Sequence, residues 1–406
     1  MRRARPYAVS SLLLVSWPAL APALLAPPAA AQVATGVDVL AAHGCRALRG
    51  KKVGLITNHT GRTADGRRTV DVLHRADGVE LVALFSPEHG WQGALDEKVG
   101  DTVDEATGLA VFSLYGETRT PSAEQLQGLD ALVFDIQDIG CRFYTYVATM
   151  RNCMQAAAAH GVAFVVLDRP NPIGGVDLEG PVCAKDRLDF VAAHTIPLRH
   201  GLTAGELARM MVGEEGLRVE LDVVPCQGWQ RADRFDDTGL EWIDPSPNMR
   251  RLTQALTYPG IGLIEGTNVS VGRGTDTPFE ILGAPWIDGR ALAADLNARG
   301  LPGVTFVPVR FTPTSSKHRG EVCGGVHVLL TDWRAFEPVR TGVHVACALR
   351  ALYPDDWDPA RLDWLLKHEP TRDAILAGTP ADEIVAAWQQ QLELFRMRRR
   401  PFLLYE

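Results

Sequence analysis

The chain has 406 residues, 46% hydrophobic and 22% charged. That balance suits a folded globular protein and excludes a disordered, collagen-like or coiled-coil chain. Its 41 Lys and Arg against 49 Asp and Glu leave a net charge of −8, which argues against a nucleic-acid partner, because such proteins carry a basic excess.

Arg2, Arg3 and Arg5 precede an apolar stretch over residues 8–25, interrupted by Pro18 and Pro22. Ala29-Ala30-Ala31 then precedes Gln32. This is the order of a secretory signal peptide. Residues 1–31 are expected to be removed, and the protein to be secreted or periplasmic. The two prolines oppose an uncleaved spanning anchor, so no stable membrane insertion is expected after cleavage. The seven cysteines are widely spaced and form no C-x-x-C, which argues against a zinc ribbon or a thioredoxin-type site. Free thiols and one or two disulfides remain alternatives.

Apolar, β-rich runs follow at residues 52–57, 80–85, 110–114, 131–134 and 162–167. Each ends in polar residues: Asn58-His59-Thr60-Gly61, Ser86-Pro87-Glu88-His89-Gly90, Tyr115-Gly116-Glu117, Asp135-Ile136-Gln137-Asp138 and Asp168-Arg169-Pro170-Asn171-Pro172. Residues 146–160 are Ala-rich and helical in composition. Continuous apolar strands alternating with helices predict a parallel sheet covered on both faces. The expected fold class is therefore α/β. A Rossmann-like doubly wound domain over residues 38–256 precedes a smaller α+β C-terminal domain over 257–406. Open α/β sheets bind ligands outside the carboxyl ends of their strands. Asn58, Glu88, His89, Asp135, Gln137, Asp138, Asp168 and Arg169 are accordingly expected in one cleft.

Beyond these, a short helix is expected over 206–212 and a strand over 219–224. Residues 242–289 are rich in Gly, Pro and Asn and read as a long irregular segment, which is often functional. Residues 360–388 read as helical, and 402–405 as a terminal strand.

No Walker loop and no G-x-G-x-x-G occurs; Gly260-Ile261-Gly262 and Gly272-Arg273-Gly274 lack the third glycine. No cofactor is expected. Ser270 falls one residue short of a nucleophile elbow, and no H-E-x-x-H exists. What remains is a set of carboxylates at strand and loop ends. Glycoside hydrolysis needs a carboxylic acid for the leaving oxygen and a second group as nucleophile or base. Glu88, Asp135, Asp138 and Glu265 are the candidates. Tyr144 and Tyr146 can stack on or hydrogen-bond a sugar, and Arg142, Arg169 and Arg273 can hold a carboxylate bidentately. Structural alternatives stand beside each. Glu88 can cap a helix, and Asp135 and Asp138 can pair with Arg142. The Asp168 to Pro172 string can be a self-satisfied turn, and Gly272-Arg273-Gly274-Thr275 only a tight turn. His59, His89 and His200 with Asp135 could ligate a metal, but scattered histidines are more often structural, and no metal is expected.

Several long strings resemble one family. They are Ser86-Pro87-Glu88-His89-Gly90, the run from Phe134-Asp135 to Thr145-Tyr146, and Leu167-Asp168-Arg169-Pro170-Asn171-Pro172. Pro245-Ser246-Pro247-Asn248-Met249, Tyr258-Pro259-Gly260, Glu265-Gly266-Thr267-Asn268 and Gly272-Arg273-Gly274-Thr275 belong with them. The chain looks like an exo-β-N-acetylmuramidase of the NamZ type, a family long known only as a domain of unknown function. The resemblance runs from about Gly54 to Tyr405. It implies a Rossmann-like domain and a smaller C-terminal domain with the cleft between them. It also implies release of N-acetylmuramic acid from the non-reducing end of peptidoglycan-derived muramyl saccharides. It makes Glu88 catalytic. His89, Gln137, Asp168, Asn171, Asn248, Asn268 and Arg273 join Asn58, Arg142, Tyr144, Tyr146 and Arg169 as expected substrate contacts. Two places depart from the pattern: Met249 is followed by Arg250-Arg251, and Ser270 by Val271 where an acidic residue is expected. A sugar-binding protein without catalysis and a metal-assisted hydrolase are the rival readings.

Overall fold

The main sheet is built from β1 (Lys52–Thr57), β2 (Glu80–Ser86), β3 (Thr102–Val103), β4 (Ala110–Ser113), β5 (Ala131–Asp135), β6 (Ala163–Leu167) and β7 (Leu221–Val224). The computed structural model describes residues 32–93, 100–116 and 118–406 together with Met1. Apart from Met1, the expected signal peptide lies outside the described residues, as does Glu117 of the third strand-end string.

The strand order is β3-β4-β2-β1-β5-β6-β7. Every pairing is parallel except β3 against β4. Side chains alternate between faces, and the two faces feed different cores. Ile56, Phe134 and Phe164 enter one, and Leu55, Val133 and Val165 the other. Helices α1 (Gly36–Ala42) and α2 (Thr69–His74) cover the second face through Val37, Leu40, Val70 and Leu73. After the short α3 (Ala123–Leu126), α4 (Tyr146–His160) and α5 (Ala204–Glu215) cover the first face through Met150, Met154, Leu207 and Met211. The sheet is thus doubly wound, as its uninterrupted apolar strands require. α4 has the bounds its composition predicts and stops at Gly161, whose φ of 68° suits a left-handed helix end. α5 begins at a capping box between Thr203 and Glu206.

The remainder of the chain forms α6 (Leu252–Ile264), β8 (Ile281–Ala284), α7 (Gly289–Ala298), β9 (Val304–Phe311), β10 (Cys323–Leu330) and α8 (Pro338–Leu352). Its three strands make an antiparallel sheet in the order β8-β10-β9. α6 falls inside the stretch expected to be irregular, and it holds Pro259 in its interior. Close packing overrides the poor helix propensity of Pro and Gly. α6 meets α8 where Gly260 faces Gly342. A Cβ on Gly260 would lie 1.9 Å from the Pro338 carbonyl oxygen, and one on Gly342 would lie 2.4 Å from the Gly260 oxygen.

Leu263 and Ile264 of α6 and Leu349 of α8 join the same core as Phe134 and Phe143, so apolar packing is continuous from the main sheet to the C-terminal elements. The expected terminal strand is absent among the described residues. Residues Arg400–Phe402 form a 3-10 turn, and Tyr405 then reaches back, its hydroxyl donating to Asp168 and accepting the Cys226 N–H. All seven cysteines are free, and six are buried. Among the described residues no helix is long and apolar enough to cross a membrane.

Candidate active site

At the carboxyl ends of β2, β4 and β5 the chain encloses a cavity of about 530 Å³. The turn after β2 delivers its first carboxylate. Ser86 and Pro87 are buried, and His89 and Gly90 both take positive φ, 69° and 75°. A histidine in that region is strained. The reversal leaves Glu88 half-buried on the cavity wall.

The loop after β5 supplies Phe143, Tyr144 and Thr145, and α4 opens with Tyr146; all four line the cavity. The Thr145 hydroxyl donates to a Glu88 carboxylate oxygen. The Tyr146 hydroxyl donates to the Pro245 carbonyl and accepts the Asn58 side-chain amide at 3.2 Å. One phenol therefore ties the end of β1, the start of α4 and the loop that carries Ser246 and Asn248 into the cavity. Tyr144 stands edge-on to Tyr146 at 4.9 Å and to Tyr258 at 6.0 Å, and Tyr258 edge-on to Phe279 at 4.6 Å. Burial pushes the three phenols up, so the aromatic wall keeps its protons.

Glu265, at the C-terminal end of α6, faces the same cavity. Arg273 donates to its carboxylate at 2.7 Å, and the Lys317 ammonium donates to its carbonyl oxygen. Tyr115 and Arg119 after β4, Asp189, Phe190 and Trp364 complete the rim.

The cavity gathers seven of the expected residues: Glu88, His89, Tyr144, Tyr146, Asn248, Glu265 and Arg273. Other expected positions need correction. Asp135 is fully buried, and both its oxygens are taken, by Arg169 at 2.5 and 3.0 Å and by the Thr69 hydroxyl. It is a structural ion pair and not a wall of the cavity. Arg169 Nη2 also donates to the Arg62 carbonyl at 2.8 Å. Arg142 is buried and donates to four carbonyl oxygens, those of Pro181, Ile196, Leu365 and Leu366. It fastens the loop after β5 to the segment between β6 and α5 and to α9 (Asp363–Leu366), with its four Nη hydrogens engaged and its Nε buried.

Asp168 is buried too, taking Thr203, Gly205 and Tyr405 as donors. Burial pushes it up to about 6. Asn171 accepts the Ile173 N–H and donates to the Leu202 carbonyl, so the polar groups of the Asp168 to Pro172 string are satisfied by residues outside it rather than by one another. Asn268 binds the Asp356 carbonyl and the Asp358 N–H outside the cavity.

Asn58 stands behind the wall, acting through Tyr146. Asp138 accepts the Gly140 N–H at 2.7 Å and is buried; desolvation pushes it up to about 7. Gln137 and Arg169 border a separate cavity of about 270 Å³ with Thr60 and Arg62. That cavity opens where the strand order reverses between β1 and β5. The rule of strand carboxyl ends holds for both cavities, but it does not say which ends share one.

The histidines do not assemble. Burial pushes His200 down to about 3, leaving it neutral, and its Nδ1 accepts the Leu202 N–H at 3.2 Å. His59 meets the Asp244 carbonyl. Among the described residues no group of three or more His, Cys, Asp or Glu is placed to hold a metal ion.

Sequence reasoning assigned no role to Thr145, Ser246 or Tyr258, although all three lie in or beside the quoted strings. Tyr115 had a signal, since it follows a strand end as Glu88 does. Arg119, Asp189, Phe190 and Trp364 had none, because they reach the cavity from loops and a helix distant in sequence.

Comparison with known proteins gives two consecutive family matches along the chain. Residues 53–253 match the family profile described as exo-beta-N-acetylmuramidase NamZ, N-terminal, and residues 256–405 match its C-terminal counterpart. The chain is 44% identical over 379 residues to the peptidoglycan beta-N-acetylmuramidase NamZ of Bacillus subtilis strain 168, covering 92% of each. Two crystal structures of DUF1343 family proteins from Bacteroides fragilis NCTC 9343 share the fold. One has a TM-score of 0.86 at 38% identity and the other 0.77 at 31%. Each alignment covers 92% of this chain and 99% of the other.

Proposed function

The chain belongs to the exo-β-N-acetylmuramidase NamZ family, and from that premise we propose that its 530 Å³ cavity binds the terminal N-acetylmuramic acid of a peptidoglycan fragment and that Glu88 and Glu265 serve its hydrolysis. The protein is a glycosidase. The observation that carries the assignment is that these two carboxylates, far apart in sequence, face one aromatic-lined cavity.

Their partners separate their roles. Glu88 takes a neutral hydroxyl donor, Thr145. Glu265 takes a guanidinium, Arg273, at 2.7 Å. Glu88 is the general acid that gives its proton to the glycosidic oxygen as the bond breaks. Glu265 is the anion that faces the positive charge developing on the sugar ring. Tyr144 and Tyr258 present apolar edges and protonated hydroxyls to the ring.

The test compares a chromogenic β-N-acetylmuraminide with the matching β-N-acetylglucosaminide, using wild type and Glu88→Gln. Release from the muraminide alone, lost in the variant while saturable binding of muramyl disaccharide persists, is the expected result. Near-normal turnover by Glu88→Gln removes that residue from the mechanism.

Action outside the cytoplasm is part of the same proposal. It is supported by the basic, apolar and small-residue order of residues 1–31. N-terminal sequencing of the secreted or periplasmic protein is expected to begin at Gln32; a start at Met1 contradicts it.

A further inference from the structure

Three arginines were expected to be able to hold a substrate carboxylate, and the fold engages all three. Arg142 is fixed to four carbonyls, Arg169 to Asp135 and Arg273 to Glu265. A fourth arginine lies at the cavity rim. The Arg119 guanidinium carbon sits 3.9 Å from the Phe190 ring centroid and 5.5 Å from that of Tyr115. Those two rings are themselves stacked, with centroids 6.4 Å apart. The segment is anchored from behind, where Asn152 of α4 donates to the Arg119 carbonyl at 3.1 Å.

Of the cavity's carboxylates, Glu88 meets the neutral Thr145 hydroxyl and the other two are ion-paired. Asp189 pairs with Lys367 at 2.5 Å and Glu265 with Arg273 at 2.7 Å. Among the described residues no carboxylate pairs with Arg119. An arginine whose flat face rests on aromatic rings keeps its in-plane N–H fork directed outward, and that fork matches a carboxylate. The rings also restrict the side chain in advance, so less entropy is lost when a ligand docks.

Resting on the glycosidase reading, we propose that Arg119 is a specificity-determining residue that reads a carboxylate on the sugar in the cavity. Two sources share this chemistry. One is the 3-O-lactyl carboxylate that separates N-acetylmuramic acid from N-acetylglucosamine. The other is the carboxylate of an amino acid joined to that lactyl group. In the absence of a peptide, the lactyl group is the carboxylate directly on the ring.

The experiment uses three β-N-acetylmuraminides that differ only at the lactyl group: the free acid, its N-methylamide and its L-alanine amide with a free carboxylate. Values of kcat/KM are measured for wild type, Arg119→Gln and Arg119→Lys. Wild type is expected to favour the free acid over the N-methylamide by about tenfold or more, as a charge-assisted bidentate pair allows. Arg119→Gln collapses that ratio toward one, and Arg119→Lys, which keeps the charge without the fork, falls between. If the L-alanine form instead carries the Arg119-dependent preference over the N-methylamide, the reader acts on the stem carboxylate. A ratio that survives in Arg119→Gln, or no preference in wild type for either acid, overturns the proposal.

Failure of the glycosidase reading is separable. If wild type cleaves none of the three, calorimetric binding of N-acetylmuramic acid against its N-methylamide still tests Arg119. A preference lost in Arg119→Gln sustains the reader, and equal binding of both ligands refutes it.

Discussion

The hydroxyl of Thr145, the residue ahead of α4, donates to the carboxylate of Glu88 on the turn after β2. This bond joins the start of α4 to the turn after β2 and sets the direction of the acid. Thr145→Val removes the donor at nearly constant volume. The expected loss is about 1 kcal/mol of positioning, or about five- to tenfold in kcat, with KM little changed. Thr145→Ser restores the rate. A change confined to KM would show that Thr145 binds sugar and does not aim Glu88.

Asp135 and Arg169 form the buried pair that sequence reasoning split between catalysis and binding. Asp135→Asn leaves a buried guanidinium uncompensated, which costs about 3–5 kcal/mol. A lowered urea midpoint is expected, with kcat per folded molecule largely retained. A loss of several orders of magnitude in kcat at unchanged stability would return Asp135 to the mechanism.

Arg142→Met strands four buried carbonyl oxygens, two on the segment between β6 and α5 and two on α9. Destabilisation of about 3 kcal/mol or more follows. Arg142→Lys is not expected to rescue it, since one ammonium with three donors cannot satisfy four separate acceptors. Thermal unfolding measures this directly. A selective rise in KM for a muramyl saccharide at unchanged Tm would instead identify a ligand clamp.

Asp138 gives stability a pH dependence of unusual sign. Burial raises it from 3.8 to about 7 in the folded chain, so between those values the native state holds a proton that the unfolded state has lost. Its stabilising contribution is complete below about pH 4 and is lost as pH rises through about 7. The slope is up to about 1.4 kcal/mol per pH unit. Asp168, raised to about 6, acts in the same direction. His200, lowered to about 3, opposes both, because the unfolded state gains its proton below about 6.5. Asp138→Asn is expected to remove one proton's share of the slope between pH 4 and 7. Denaturant unfolding at pH 5 and pH 7.5 reads it, and an unaltered difference between wild type and variant refutes it.

The strand-and-helix order of the first half was legible because each central strand is buried on both faces and must be apolar throughout. The Ala-rich run of α4 had its bounds written in composition, with Gly161 as the stop. α6 was not legible. Pro259 and Gly260 argue against a helix locally, and only the close approach to Gly342 and Pro338 makes glycine the residue that fits there. Tyr405 was read as part of a strand, whereas burying the Asp168 carboxylate gives its hydroxyl a partner at the end of β6.

The sequence by itself determined the doubly wound sheet, the motif strings and Glu88 at a strand's carboxyl end. These follow from local patterns: period, propensity and the order of residues along one segment. Only the tertiary structure decided which polar strand ends share a cavity. Asp135, Asp138 and Asp168 follow strand ends much as Glu88 does. A carboxylate is turned inward to a structural partner or outward to a cavity by what packs across from it. For Asp135 that is Arg169, for Asp168 it is Tyr405, and for Glu88 it is the open space enclosed by α6 and the loops beyond it. Those partners lie from about thirty to more than two hundred residues away, so no local pattern encodes the choice.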